Sequence, residues 1–486
     1  MGIDVNTSSG SVRGQTLHVL NRKIHQFLNI PYAKPPLGPF RFAPPVPLKA
    51  PKEGIIDDTK VGNSCIQSLK SRMNSDNIMT ISEDCLVLNI WTPNTASSGP
   101  KGVVALNAVM FYIYGGGLYS GTIFHEYLNG SLLATNGVVL VAANYRVGPL
   151  GFLYGGGDQT APGNAGFYDQ LLALKWIREN IDLFGGDKDR ITIFGMSAGS
   201  WSVSAHILSP LSKGLFKRAI MQSGSVMHNR DRPALSTVEA LQRAKQLTRR
   251  LNCDEFDYKW LDCLRAIDDP NLFVETPVSG HIGVTHAVFG TEFLPRTVKD
   301  EGTMFAPVLY RPLKPDITEH QFRGIVANLS AEYHNIDVDK VCDHYLNGVH
   351  KTNSSQLKAE LSALYGDLVF TCPTYRFAKS YANSGRNAVY FYRFNFKSQF
   401  LAKQYGCVGG DVCHALDVPF VWGSPLSKPH EVWPQFWDKS VIRVKDLNPN
   451  DMSVADIECD DNSPAVCADK TGGQQSVRIC RAVDCE

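Results

Sequence analysis

The sequence predicts an α/β fold, a large and mostly parallel central sheet flanked by helices, and three observations carry that prediction. Several runs are apolar throughout or nearly so: Val109 to Tyr114, Val138 to Ala143 and, with Thr192 as its one polar member, Ile191 to Phe194. Strands buried on both faces read this way, and they belong to parallel sheets covered by helices. Between the second and third runs lies Gly166 to Phe184, where Leu171, Leu174, Ile177, Ile181 and Phe184 recur at three- and four-residue steps before Gly185-Gly186. That is a helix with a glycine stop, and strand, helix, strand is a parallel crossover. Finally, 486 residues, 43% of them hydrophobic and 20% charged, suffice for one large α/β domain or two or three ordinary ones.

Residues 1 to 60 are rich in proline and short strand-like pieces, among them Phe27 to Gly38 and Arg41-Phe42. Proline at that density suits edge strands and turns and excludes a helix. Cys65 and Cys85 then bracket a polar loop closed by Ser82 to Trp91. If bridged, a loop of that size gains roughly 3 kcal/mol through the entropy of the unfolded chain. Val109 to Tyr114 ends in Gly115-Gly116-Gly117-Leu118-Tyr119-Ser120-Gly121. Consecutive glycines after a strand leave backbone N–H groups bare and pointed outward, which is how serine hydrolases receive an oxyanion. A flexible loop and a phosphate cradle are the alternatives, although the run lacks the Gly-Lys-Ser/Thr of a P-loop. Val138 to Ala143 leads on to Asn144-Tyr145-Arg146-Val147-Gly148.

The stretch around which the rest is organised runs from Ile191 to Phe194 into Gly195-Met196-Ser197-Ala198-Gly199, then into a helical Ser202 to Leu208. Strand, sharp turn and helix make Gly-x-Ser-x-Gly a nucleophile elbow. The glycines are expected where backbone presses on backbone with no room for a Cβ. An inert serine in a glycine-rich turn is the plainer reading of the motif alone, and the strand before it argues against that reading.

Lysine and arginine (48) balance aspartate and glutamate (47), so no single-sign field invites nucleic acid or an anionic membrane. The longest apolar stretch, Val103 to Tyr114, is broken by Asn107 and is too short to span a bilayer, so no transmembrane segment is expected. The chain has 12 cysteines and carries glycosylation sequons at Asn6, Asn129, Asn328 and Asn353. Both features suit a secreted or extracellular glycoprotein. Residues 1 to 20 show no basic region followed by an apolar core, which leaves a cytoplasmic protein as the alternative. No pair-of-pairs zinc spacing occurs among the cysteines, so no metal is expected.

Eight blocks together resemble the type-B carboxylesterase and cholinesterase family of α/β-hydrolases. They are Phe27 to Phe42, Ser82 to Pro93, Tyr114 to Gly121, Asn144 to Leu153, Ala161 to Gly186, Phe194 to Pro210, Lys299-Asp300-Glu301-Gly302 and His414 to Gly423. The resemblance implies an α/β-hydrolase fold and a serine hydrolase that cleaves small carboxylic esters through an acyl-enzyme, with no cofactor. It implies a triad of Ser197, Glu301 and His414, with oxyanion N–H groups from Gly116, Gly117 and Ala198. The chemistry explains the types: serine is a poor nucleophile until an imidazole takes its proton, and a buried carboxylate fixes the imidazole's tautomer and stabilises the imidazolium. For His414 the alternative is a structural or surface histidine, and for Glu301 a solvated charge in Lys-Asp-Glu. The resemblance also implies cystines Cys65–Cys85 and Cys253–Cys263, and buried ion pairs of Arg41 with Glu83 and Arg146 with Asp169. Cys372 matches a family cysteine whose partner lies where this chain diverges; a Cys407–Cys413 bridge would hold the loop before His414.

Two departures stand out. The acid should follow a sheet strand, yet Phe293 to Lys299 offers no apolar run before Asp300 and Glu301. Likewise Trp422-Gly423 reaches Val432-Trp433-Pro434 in a few residues, where the family carries a helix. Both read as missing core segments, and reduced activity is the expectation. Residues 1–440 are read as the hydrolase domain and 441–486 as a polar tail with Cys459, Cys467, Cys480 and Cys485. The Cys65 to Cys85 loop holds no aromatic residue that could bind a quaternary ammonium by cation-π attraction, and Met196 stands where cholinesterases place a glutamate. The acyl-pocket tryptophan is absent, with Arg230 near its place, whereas Tyr119, Tyr127 and the Tyr-Gly-Gly-Gly wording are cholinesterase-like. A general ester hydrolase is therefore expected, with an acetylcholinesterase-like enzyme or a catalytically weak neuroligin-like adhesion protein as alternatives. A homo-oligomer is compatible with all three.

Overall fold

Thr7 and Val19 each precede a two-residue turn, and such turns can join only antiparallel neighbours. The chain therefore opens as a meander in the computed structural model, which describes residues 2–48, 52–57, 59–68, 80–94, 106–226, 236–276, 316–332, 336–382, 389 and 414–423. Strands β1 (Gly2–Thr7), β2 (Gly10–Val19) and β3 (Arg22–Pro31) pair antiparallel, the second turn closing with Leu20 and Asn21 both at positive φ (45° and 61°). That is the twist a tight hairpin demands. Strand β4 (Lys52–Asp57) runs parallel to β2, and the short strands β5 (Ser64–Cys65) and β6 (Ile81–Ser82) pair separately.

Strands β7 (Val87–Thr92), β8 (Asn107–Ile113), β9 (Val138–Ala143), β10 (Gly186–Met196) and β11 (Arg218–Gln222) complete a nine-stranded sheet. Its order is β1-β2-β3-β7-β9-β8-β10-β11, with β4 against β2. The β9-β8-β10-β11 half is parallel, while β3 with β7 and β7 with β9 are antiparallel. The sheet is thus mixed, and only the half that carries the elbow is the parallel sheet the apolar runs predict.

The three apolar runs sit where that expectation puts them. Val139, Leu140, Val141 and Ala142 of β9, Val109 of β8, and Ile191, Ile193 and Phe194 of β10 are fully buried. Each such side chain contributes about 1.5 to 3 kcal/mol of apolar burial. Helix Ala165–Asn180 follows β9, continues as a 3-10 turn Ile181–Phe184, and stops at Gly185, whose φ of 75° supplies the left-handed cap. The crossover therefore ends directly before β10, whose buried run begins at Ile191. Phe184 meets Phe27 edge-on at 5.0 Å, tying the crossover to the antiparallel half.

These strands belong to one of two compact units, made of Met1–Val226, Leu235–Thr297 and Tyr392–Val432. The other comprises Met227–Ala234, Val298–Phe391 and Trp433–Glu486. Its described part is helical: Glu319–Glu332, Val338–Tyr345, Ser354–Gly366 and Cys372–Ala382. Phe322, Val326, Val341, Leu357, Leu361 and Val369 form its core. Asn353 caps Ser354–Gly366 by accepting from the N–H groups of Ser355 and Gln356. Asn6, Asn129, Asn328 and Asn353 are all exposed, the third on a helix. The tail 441–486, Cys407 and Cys413 lie outside the described residues. Among the described residues no helix is long and apolar enough to cross a membrane.

Candidate active site

Strand β10 delivers Met196 to the sheet edge, and Ser197 turns the chain at φ 57°, ψ −122° into helix Ala198–Leu208. A side chain at that φ costs about 1 to 3 kcal/mol, so the surroundings must hold it there. They do so through backbone. A Cβ on Gly195 would stand 2.6 Å from the Gly199 and Ile113 carbonyl oxygens, and one on Gly199 would fall almost onto the Ile113 oxygen. The Ser197 N–H donates to the Gln222 carbonyl at 2.8 Å, and the Ser197 carbonyl accepts from the Trp201 N–H at 3.0 Å. Ser197 itself is 5% exposed.

The glycine loop after β8 presses on this turn. A Cβ on Gly115 would lie 2.5 Å from the Met196 carbonyl and 3.1 Å from the Ser197 Cβ. Gly116 (φ 113°) and Gly117 (φ 65°) adopt conformations that favour glycine. The Gly116 carbonyl accepts from the N–H groups of Tyr119 and Ser120, which curls the loop back on itself. Among the described residues the Gly116, Gly117 and Ala198 N–H groups donate to no backbone acceptor. For Ala198 this follows from its place in the first turn of a helix, where the macrodipole also favours negative charge. The loop is braced from outside by Gln67, whose amide accepts from the Gly121 N–H and donates to the Gly121 carbonyl, both at 2.8 Å. Gln67 follows the Cys65–Cys85 disulfide by two residues, so the first cystine loop steadies the glycine loop.

His414 begins the described segment 414–423. Its side chain is exposed to solvent, and partial desolvation by the protein around it lowers its pKa to about 4. The ring is therefore neutral at pH 7, the form that can take a proton. Trp422 anchors the segment's far end, with its ring 5.0 Å from Tyr112 of β8, 6.1 Å from Trp91 of β7 and 6.3 Å from Phe194 of β10. Near His414, Asp417 is buried and accepts from Gln222 Nε2 at 2.8 Å. Burial raises the Asp417 pKa, and the Gln222 hydrogen bond opposes that rise. Gln222 thus joins the elbow to the His414 segment. Glu301 lies outside the described residues, as do Arg230 and the stretches read as shortened.

Disulfides join Cys65 to Cys85 and Cys253 to Cys263. Arg41 pairs with Glu83 through two 2.7 Å hydrogen bonds, and Arg146 with Asp169 at 2.8 and 2.7 Å. Both pairs are buried; such pairs fix geometry more than they add stability. Arg41 also donates to the Leu264, Arg265 and Ile267 carbonyls, pinning the second cystine loop's far side. Tyr119 is partly exposed beside the glycine loop, and burial raises its pKa.

Sequence reasoning missed Gln67, Gln222, Asp417 and a buried chain centred on His206. Ser212 Oγ lies 2.7 Å from His206 Nδ1, and His206 Nε2 lies 3.1 Å from Gln170 Oε1. Gln170 Nε2 donates to Ser202 Oγ at 3.1 Å, and Ser202 Oγ donates to the Ala198 carbonyl at 3.0 Å. Because Gln170 Oε1 can only accept, His206 carries its proton on Nε2 and accepts from Ser212 on Nδ1. Burial pushes the His206 pKa down to about 3.

Residues 2–300 and 290–444 match the model of the Carboxylesterase family. An acetylcholinesterase of Leptinotarsa decemlineata is 34% identical to this chain over 478 residues, covering 87% of the chain and 74% of that protein. With an elbow built on a parallel half-sheet and matches of that extent, the chain belongs to the carboxylesterase family of ester hydrolases and has its α/β-hydrolase fold.

Proposed function

We propose that the protein hydrolyses carboxylic esters through Ser197, His414 and Glu301, and the observation that carries this reading is the held, strained turn at Ser197. Strain of that kind is retained where it serves chemistry, and here it lifts a hydroxyl clear of the sheet at a helix N-terminus. In the reaction the His414 imidazole takes the Ser197 proton as Oγ attacks the acyl carbon. The carbonyl electron pair moves onto oxygen, facing the N–H groups of Gly116, Gly117 and Ala198. Collapse expels the alcohol, which takes the proton from the imidazolium, and water then repeats the sequence to release the acid. Each lost oxyanion donor would raise the barrier by about 3 to 4 kcal/mol.

The substrate we propose is a neutral or undemanding ester rather than a choline ester. The first cystine loop has no aromatic residue, and Met196, almost fully buried, offers no carboxylate beside the nucleophile. Acetylthiocholine should be turned over no faster than a neutral thioester of equal size; a large preference for the cation overturns the assignment. The acetylcholinesterase relative is the reason to run that comparison. Two disulfides favour an oxidising, extracellular setting.

We further propose that activity is reduced by the shortened stretches before Glu301 and after Gly423. What supports this is the sequence itself: Phe293 to Lys299 offers no apolar run before the acid, and Trp422-Gly423 reaches Val432 within a few residues. A catalytic efficiency equal to that of a version with the segments restored would overturn this.

The test of the whole reading is fluorophosphonate labelling of protein made in an oxidising host, with the adduct located by mass spectrometry. Ser197 should be phosphonylated in folded protein and not after heat denaturation or in Ser197→Ala. A folded chain whose Ser197 stays unlabelled refutes the reading and favours the adhesion-protein alternative.

A further inference from the structure

We propose that Asp417 is a positioning residue whose hydrogen bond to Gln222 clamps the His414 segment onto the nucleophile elbow. The inference rests on the hydrolase reading above and deepens it. Two separate parts of Gln222 face two separate partners. Its backbone carbonyl receives the Ser197 N–H at 2.8 Å, and its side-chain Nε2 donates to Asp417 Oδ2 at the same distance. Gln222 is the last residue of β11 and is 2% exposed; Asp417 is 8% exposed. One residue therefore holds the turn that aims the serine and the turn that carries the imidazole.

The Asp417 backbone adds to the effect. Its carbonyl accepts from the N–H groups of Phe420 and Val421, both at 3.1 Å, and Ala415 accepts from Val418 at 3.2 Å. The segment from Ala415 to Trp422 is thus one stiff turn, with Ala415 at φ 72°. Trp422 fixes its far end among aromatic rings of three strands, and Asp417 fixes its near end, three positions from His414. With one end alone anchored, the segment would swing about Trp422 and carry the imidazole with it. Reaction rates are steep in such geometry: about 1 Å of misplacement can cost roughly 100-fold.

The hydrogen bond needs an acceptor at position 417 and does not need a charge. That separates the clamp from the alternative in which the Asp417 carboxylate itself serves the imidazole. Asp417→Asn keeps an oxygen for Gln222 Nε2, whereas Asp417→Ala removes it. On a soluble ester, Asp417→Asn should stay within about 3-fold of wild type in kcat, and Asp417→Ala should lose roughly 30- to 100-fold with KM little changed. The rate of Ser197 phosphonylation should fall in step. Gln222→Met cuts the same bond from the other side, and carries the test should Asp417→Ala fail to fold. The double variant should be no worse than the more damaged single. Near-wild-type rates in folded Asp417→Ala and Gln222→Met overturn the clamp, and so does an Asp417→Asn as damaged as Asp417→Ala, which would make the charge essential. If wild-type Ser197 is itself never labelled, the hydrolase reading fails first; if it is labelled and the variants are unchanged, only the clamp fails.

Discussion

His206 makes a pH dependence that can be worked out from its surroundings. The ring is 2% exposed, held between Ser212 and Gln170, and burial takes its pKa from an ordinary 6.5 down to about 3. Below about pH 6.5 the unfolded chain binds a proton at this position that the folded protein refuses. Stability from the neutral ring is therefore complete above pH 6.5, falls as pH drops through the window, and levels off near pH 3. With a slope of about 1.4 kcal/mol per pH unit for one proton, roughly 2 to 3 kcal/mol is lost between about pH 6.5 and 4.5. Against a total of about 5 to 15 kcal/mol that loss is large. The assay is urea unfolding followed by tryptophan fluorescence at several pH values, comparing wild type with His206→Gln. The variant starts lower by about 1 to 3 kcal/mol because Ser212 loses its acceptor, but it has no ring to protonate. Wild type should lose about 2 to 3 kcal/mol more than the variant across the window, whatever else titrates, since His414 and the carboxylates are common to both. Parallel loss in the two proteins refutes the reasoning.

Other expectations are simpler. Gly199→Ala puts a methyl group onto the Ile113 carbonyl, so the elbow must open: activity and Ser197 labelling should both vanish, with stability down by about 2 to 4 kcal/mol in the same urea assay. Arg146→Met leaves Asp169 as a buried, uncompensated carboxylate and should cost about 3 to 5 kcal/mol, whereas changing both partners to apolar residues should recover much of it. Reducing Cys65–Cys85 releases the brace on Gln67 and should lower kcat along with stability, the latter by roughly 3 kcal/mol; unchanged turnover in reduced, folded protein would separate the cystine from the glycine loop.

How far the sequence could be read follows from how far apart the interacting residues lie. The elbow was legible because everything it needs is contiguous: an apolar strand, glycines two before and two after the serine, a helix beyond. The glycine loop, the crossover helix and its Gly185 stop were legible for the same reason. The mixed sheet was not, because the β2–β3 hairpin turns on Leu20 and Asn21 without the glycine that usually marks such a turn. Strand β10 likewise begins at Gly186, five residues before its apolar run, and the charged Asp187 to Arg190 hides that start. Gln67 with Gly121, His206 with Gln170, and Gln222 with Asp417 left no trace at all: a glutamine amide can serve many partners, and nothing local says which. The division has a mechanistic consequence. The proposed nucleophile and oxyanion donors are encoded locally, whereas the position of the proposed base, His414, depends on contacts spread over the chain. The shortening proposed near Glu301 and beyond Gly423 would leave the local half intact and act on the distributed half. An unlabelled Ser197 in a folded protein would accordingly point to the His414 side of the site, with the elbow still in place.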